Sequence, residues 1–392
     1  MTIPRVVLKP KRAQPFFGRH PWVFAGAIAA VTGEPADGAE VDLHSSAGNF
    51  VARGLFNSQS KIRVRLYSWQ PDVPLDRAFF QQRLESAWRF RRDVLKLETA
   101  CRVVFSESDG LSGMVVDRFG DWLVLQFTSL ALAQRRDMIA DVVTDIFQPK
   151  GIYVRTEKGI GKLEGLVLHD GLLRGEEPAE DVILDEGGVR FRVNLREGQK
   201  TGFYLDQREN RQAVAKYAAG RKVLDAFCYS GGFGLHAARA GAAEVVGVDA
   251  SDSAIALARA NAELNGLTID YQQGDVFDRL AEFQSAGRTF DLVVLDPPKF
   301  ARAQHAVPDA LKGYRRLQTL AVRLLNPDGL MVMCCCTGLI TFDMLEEQMA
   351  QVSAKENREI QILERRGQAP DHPISVSCLE SAYLKCLIAR VV

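Results

Sequence analysis

The sequence predicts an α/β protein whose C-terminal half is a doubly wound, largely parallel sheet. Three observations carry that reading. From residue 223 onward, strand-like runs at 223–226, 244–249, 269–272, 292–296, 330–335 and 359–363 alternate with helical patterns at 233–240, 253–264, 276–284, 310–325 and 342–354. Strand-helix alternation of this kind builds parallel strands joined by crossover helices. The first run, Lys222-Val223-Leu224-Asp225, leads into a glycine-rich turn, Ser230-Gly231-Gly232-Phe233-Gly234, that opens a helix. Glycines at such a turn let the backbone approach a ligand and let the helix pack on the strand. The first four strands also end in acids: Asp225, Asp249, Asp275 and Asp296.

The 392 residues leave room for two or three domains. Residues 1–72 read as a small β-rich unit, with apolar runs at 6–8, 41–43, 50–52 and 62–66 between glycine, asparagine and serine turns. Residues 73–180 read as an α+β unit. It has helical patterns at 75–97 and 131–147, and strands at 102–105, 114–117, 122–127, 152–154 and 163–168. Glu107, Asp109 and Asp117 read there as turn and surface acids. Residues 181–392 hold the parallel sheet, led by a hairpin at 182–195 that turns at Glu186-Gly187-Gly188.

The chain has zero formal net charge, but its charge is unevenly spread. From Met1 to Gln70, nine Lys and Arg face four acids. Lys9, Lys11, Arg12, Arg19, Lys61, Arg63 and Arg65 are the candidates for a phosphate-binding face, against the plainer reading of a solvated surface. No apolar run is long enough to span a bilayer, and the polar start has no signal-peptide core, so a cytoplasmic protein is expected. Seven cysteines without a C-x-x-C pair read as free thiols in a reducing compartment.

In a doubly wound sheet, ligands bind at the carboxyl ends of the strands. Asp249 follows the first strand at about the spacing at which an acid takes ribose hydroxyls. Asp275-Val276 sets a carboxylate and an apolar side chain where an adenine ring can lie. Asp296-Pro297-Pro298-Lys299-Phe300 is a stiff loop in which two prolines remove N–H donors. Carbonyls and the Asp296 carboxylate remain, a rim of acceptors suited to an exocyclic amino group. Gly232-Phe233-Gly234-Leu235-His236-Ala237 also fits G-x-G-x-x-A, which keeps a nicotinamide dinucleotide open on the turn alone, but that ligand does not call for Asp-Pro-Pro. Before the first strand, the polar, glycine-punctuated segment 198–208 leads into a helix that Asp206 can cap, and it can close over a ligand through Tyr204 and Gln207.

The residues Asp225–Gly234, Asp249, Asp275 and Asp296-Pro297-Pro298 together resemble the motifs of class I S-adenosylmethionine methyltransferases. The whole chain is similar to the RlmI-like family of bacterial 23S rRNA cytosine-C5 methyltransferases. The similar stretches are Arg19-His20-Pro21-Trp22-Val23-Phe24, Asn57-Ser58-Gln59-Ser60, Lys200-Thr201-Gly202-Phe203-Tyr204-Leu205-Asp206-Gln207-Arg208, residues 296–300, Cys336-Thr337-Gly338-Leu339, Asp371-His372-Pro373 and Tyr383-Leu384-Lys385. The resemblance implies an N-terminal PUA RNA-binding domain, a small central α+β domain and a Rossmann-like methyltransferase domain. It implies S-adenosylmethionine held by Asp225, Phe227, Ser230, Gly231, Gly232, Gly234, Asp249, Asp275, Val276 and Asp296, with Tyr204 and Gln207. It further implies 23S rRNA or a large-subunit precursor as partner, and it is compatible with a homodimer.

Carbon 5 of cytosine is a poor nucleophile. A thiolate that adds to carbon 6 makes carbon 5 enamine-like and able to take a methyl group. The fifth strand supplies Cys334, Cys335 and Cys336. On the residues alone, three packing cysteines are favoured, since free Cys behaves as a small hydrophobe. Cys336 lies nearest the loop and matches the family's nucleophile position, which makes it the candidate, with Asp296 and the Pro297 carbonyl on the cytosine amino edge. Contiguous cysteines on one strand do not make a tetrahedral zinc set, so no metal is expected. The family differs from other RNA cytosine-C5 methyltransferases in one respect: those carry a second cysteine in the strand-four loop, where this chain has Pro298 and Lys299. Two other readings use the same fold: methyl transfer to a guanine nitrogen without thiol chemistry, and an RNA-binding assembly protein without catalysis.

Overall fold

The computed structural model describes residues 3–156, 159–167, 169–178, 181–196 and 201–392. The chain divides into two compact units. One comprises residues 1–182, 193–205 and 370–381, the other 183–192, 206–369 and 382–392.

The first unit contains two sheets. Strands β1 (Arg5–Leu8), β2 (Trp22–Phe24), β3 (Ile28–Thr32), β4 (Glu40–His44), β5 (Phe50–Phe56) and β6 (Ile62–Ser68) form one, ordered β2-β6-β5-β4-β1-β3. Strands β2 and β3 are additions to the sequence reading. The first is three residues long, and the second is an edge strand exposed along most of its length, so neither shows an apolar period. The second sheet holds β7 (Ala100–Phe105), β8 (Met114–Phe119), β9 (Trp122–Phe127), β10 (Gly151–Arg155) and β11 (Gly171–Gly175), ordered β11-β10-β9-β8-β7. The strand expected at 163–168 is not one. Helix Ile160–Glu164 occupies its first part, Leu168 lies outside the described residues, and the edge strand comes later. The helical pattern at 131–147 is also two helices, Leu130–Ala133 and Arg136–Phe147.

Helix Arg77–Arg89 starts at Asp76, whose carboxylate accepts the Phe79 N–H at 3.0 Å. It buries Phe79, Phe80, Leu84 and Trp88, then loosens into a π turn over Phe90–Val94. That turn holds the fully buried Arg91, which pairs with Asp109 and donates to the Arg102 and Asp371 carbonyls. The surface reading of three acids is corrected here. Asp117 is buried and takes the Arg102 guanidinium in two bonds of 2.7 Å. Asp109 serves Arg91, and Glu107 accepts from Trp22 and Ser112. Burial in low dielectric demands such pairing, because an unpaired charge there costs several kcal/mol.

The second unit opens with hairpin β12 (Val182–Glu186) and β13 (Val189–Val193). Asn261 and Asn265 of helix Asp252–Leu264 and its C-cap accept the Arg192 and Arg190 amides, which fixes the hairpin on that helix. The main sheet comprises β14 (Lys222–Ala226), β15 (Glu244–Asp249), β16 (Asp270–Gln273), β17 (Phe290–Leu295), β18 (Leu325–Cys335), β19 (Ile360–Arg366) and β20 (Lys385–Val391), ordered β16-β15-β14-β17-β18-β20-β19. The pairs among β14–β18 are parallel. Strand β20, unassigned in the sequence reading, inserts between β18 and β19 and runs antiparallel to both. No crossover helix precedes it, so the alternation that exposed the other strands is lacking. Strands β17 and β18 are buried on both faces, which is why Leu292–Leu295 and Leu330–Cys335 read as unbroken apolar runs.

Candidate active site

Strand β14 ends at Ala226, and the chain turns at once. Phe227 (φ 64°) and Tyr229 (φ 46°) adopt left-handed backbone, a strain of order 1–3 kcal/mol each for non-glycine residues. Directed hydrogen bonds hold it: Cys228 N–H to the Val248 carbonyl, Tyr229 N–H to Asp249 Oδ2, and Asn261 Nδ2 to the Ser230 carbonyl, all at 3.0 Å. Gly231 has φ 83°, and a Cβ there would come within 2.2 Å of the Tyr271 hydroxyl. One at Gly232 would meet Arg211 Cδ at 2.9 Å. The glycines are thus required by side chains already packed against the turn. Arg211 is in turn clamped by Glu186, which also takes His236; burial raises the Glu186 carboxyl, but the Arg211 charge and the hydrogen bonds from His236 and Arg211 together outweigh it and hold it at about 2.

Asp225 is buried beneath the turn, and its Oδ2 accepts the Gly234 N–H at 2.8 Å, in the first turn of helix Gly232–Arg239. Burial pushes its carboxyl up to about 7; the Gly234 N–H opposes that, and the charges of Asp296 and Asp249 add to it. Its Oδ1 has no partner among the described residues. Asp249 is half-buried and accepts from Tyr229 and Ser251 N–H. Asp275 is exposed and caps helix Val276–Ser285 through Phe277 and Asp278 N–H, with Val276 buried behind it. Three acids and an unpartnered buried oxygen make a site short of positive charge. S-adenosylmethionine carries an ammonium and a sulfonium, so the residues present fit it.

The opposite rim is formed by the loops after β17 and β18. Gln207 Nε2 donates to Asp296 Oδ2 at 3.1 Å, and Asn210 Nδ2 fixes the Gln207 amide by donating to its Oε1 at 2.6 Å. Pro297 is buried, whereas Pro298 and Lys299 are exposed. Thr337 Oγ1 donates to the Ala301 carbonyl at 3.1 Å, joining the two loops. The three cysteines separate. Cys334 lies in the core shared with Phe233 and Cys386, Cys335 in the core on the Tyr314 side, and Cys336, just past the strand end, is half-buried. Alternation along a strand predicts that division. Asp206 does not cap the following helix: Gln207 is its N-cap, and the Asp206 carboxylate accepts the Tyr383 hydroxyl at 2.5 Å. Tyr204 is half-buried and belongs to the first unit, and residues 198–200 of the same segment lie outside the described residues. Sequence reasoning missed Tyr271, Arg211 and Asn261 around the turn, and Lys385 beside the Cys336 loop. Only Lys385 lay in a stretch singled out beforehand, and without a role.

In the first unit, Lys9, Lys11, Arg12, Arg19 and Lys61 are exposed. Arg63 is half-buried and donates to the Asn57 carbonyl. Arg65 is a correction. It is buried, with its guanidinium on Glu164 at 3.1 Å and Glu107 at 3.4 Å, so it cannot meet a phosphate. A cavity of about 520 Å³ is lined by Arg12, Phe16, His20, Trp22 and Phe24, among others. His20, Cys378 and Glu380 converge nearby. The Trp22 backbone N–H donates to His20 Nδ1, and His20 Nε2 lies 3.6 Å from a Glu380 carboxylate oxygen.

Comparisons with known proteins bear on the fold and the family. Residues 171–390 match the family model of S-adenosylmethionine-dependent methyltransferases, and residues 6–69 match that of a PUA-like domain. A ribosomal RNA large subunit methyltransferase I from Aeromonas hydrophila subsp. hydrophila is 41% identical over 391 residues, 98% of each chain. One from Shewanella denitrificans is 40% identical over 99% of each chain. Among solved structures, a methyltransferase complexed with SAH superposes over 100% of both chains with a TM-score of 0.86 at 24% identity, which speaks for the fold. The chain therefore belongs to the S-adenosylmethionine-dependent methyltransferases, in the family of ribosomal RNA large subunit methyltransferase I.

Proposed function

We propose that this protein methylates carbon 5 of a cytosine in 23S rRNA, with Cys336 as the nucleophile. One observation carries the reading: of the three successive cysteines at the end of β18, only Cys336 leaves the core, and it does so on the rim that also bears Asp296-Pro297-Pro298. S-adenosylmethionine, when bound, supplies the methyl electrophile. Asp249 holds its ribose, and the strained turn from Phe227 to Gly234 with Asp225 fixes its place.

The residues of the chain do the rest. A target base in folded RNA is splayed from its stack before it can enter. Its amino edge donates to the Asp296 carboxylate and the Pro297 carbonyl, and Gln207 keeps that carboxylate oriented. The Cys336 thiolate adds to carbon 6; the carbon 5–carbon 6 π pair moves to carbon 5, which takes the methyl group. Loss of the carbon-5 proton to a base returns a pair to the ring, and the Sγ–carbon 6 bond breaks, releasing the thiolate. The exposed cations Lys9, Lys11, Arg12, Arg19 and Lys61 bind RNA phosphates, and residues 1–72, 73–180 and 181–392 act as RNA-binding, central and catalytic parts.

Nucleoside mass spectrometry of 23S rRNA methylated in vitro tests the reading. It predicts 5-methylcytidine, lost in Cys336→Ala; a methylated guanosine, or full activity of that variant, contradicts it.

A further inference from the structure

Lys385 begins β20, directly opposite Cys335 of β18 in the antiparallel register. It is 6% exposed, yet the partners of its ammonium among the described residues include no carboxylate. Its Nζ instead donates to two backbone carbonyls, Thr337 at 2.5 Å and Tyr383 at 3.0 Å. Thr337 is the residue after Cys336. A buried cation held only by neutral carbonyls is costly, and its natural complement is an anion formed at the site. Resting on the assignment of Cys336 as nucleophile, we propose that Lys385 is a positioning residue that fixes the Cys336–Thr337 backbone and stabilises the Cys336 thiolate by its charge.

The surroundings make such a cation necessary. Asp296 directly follows β17 on this rim, and its negative charge disfavours a thiolate. Tyr314, from helix Val307–Leu324, stands against Cys335 and Cys336 with its phenol pushed far up by burial and by those thiols, so it stays neutral. Cys335 is buried in the core, and Lys299 on the Asp296 loop is exposed. Burial lowers the Lys385 ammonium, and a thiolate charge at Cys335 or Cys336 opposes that. The thiol gives its proton to water, and Lys385 remains charged throughout.

The test is the pH profile of Cys336 alkylation by iodoacetamide, read by mass spectrometry of the peptide that carries it, so the other cysteines do not interfere. Lys385→Gln keeps a donor for the Thr337 and Tyr383 carbonyls and removes the charge; Lys385→Arg keeps the charge. The apparent thiol pKa rises by about one unit in Lys385→Gln, with a roughly tenfold slower reaction at pH 7, and by clearly less in Lys385→Arg. Calorimetry with S-adenosylhomocysteine shows each variant folded. A wild-type profile in folded Lys385→Gln overturns the proposal, as does an equal shift in both variants. Cys336→Ala separates the two claims. If it still methylates RNA, the nucleophile assignment fails; if it is inactive and Lys385→Gln labels like wild type, only the role of Lys385 fails.

Discussion

The first unit pairs buried cations with acids; the second does so at Arg211 and Glu186 but leaves two groups on its sheet without an opposite charge. In the first, the buried cations meet buried or half-buried acids: Arg91 with Asp109, Arg102 with Asp117, Arg65 with Glu164 and Glu107. On the methyltransferase sheet, Asp225 keeps one oxygen without a partner and Lys385 has no carboxylate beside it, among the described residues. The first pattern is how a fold neutralises charge it has buried. Under the proposed function, the second leaves charge for something that arrives later: a cationic methyl donor at Asp225 and an anionic thiolate at Lys385. Perturbed, incompletely compensated groups gather at sites of chemistry.

The largest effect expected is on catalysis. Cys336→Ala lowers methyl transfer by at least about 10³-fold while leaving cofactor affinity within a factor of about two, measured by single-turnover kinetics and calorimetry. Next come the paired charges. Asp117→Ala strands Arg102 in the first unit and lowers stability by about 3–5 kcal/mol in urea unfolding. A loss below about 1 kcal/mol would erase the contrast between the units.

Asp225 gives a pH test of the uncompensated side. Its folded carboxyl sits at about 7 against an ordinary 3.8. Between those values the folded protein holds a proton that the unfolded chain has released. Stability therefore falls as pH rises from about 4 to about 7 and levels off above, and Asp225→Asn flattens that fall. A bound cation favours the carboxylate, so cofactor binding near pH 7 releases protons, visible in calorimetry across buffers of different ionisation enthalpy. The smallest effect is on the surface. Lys11→Glu or Arg12→Glu weakens RNA binding several-fold and flattens its salt dependence. Arg65→Ala acts on stability instead, because its guanidinium belongs to Glu164 and Glu107.

Much of this was legible in the sequence, for physical reasons that also mark where legibility stops. Strand-helix alternation fixes the order of β14 to β18, and the acids at strand ends need only the chain direction to be placed on one rim. The division of the three cysteines follows from the two-residue period of a strand. Strand β20 was not legible, because an antiparallel insertion brings no crossover helix with it. Burial of Arg65 was not legible either. Its alternation with Arg63 places both on one side of β6, and only the path of a distant segment decides that Glu164 covers one of them. The turn glycines point at Tyr271 and Arg211, from outside the turn itself, and local sequence does not carry that packing.

The central claim, a thiol adduct on cytosine, has a direct measurement. RNA containing 5-fluorocytidine presents a carbon 5 from which no proton can leave, so a methylated adduct is trapped. The account predicts a covalent protein–RNA species that forms only with S-adenosylmethionine and maps by peptide mass spectrometry to Cys336. No trapped species with an RNA the enzyme otherwise methylates, or one carried by a different residue, would contradict it.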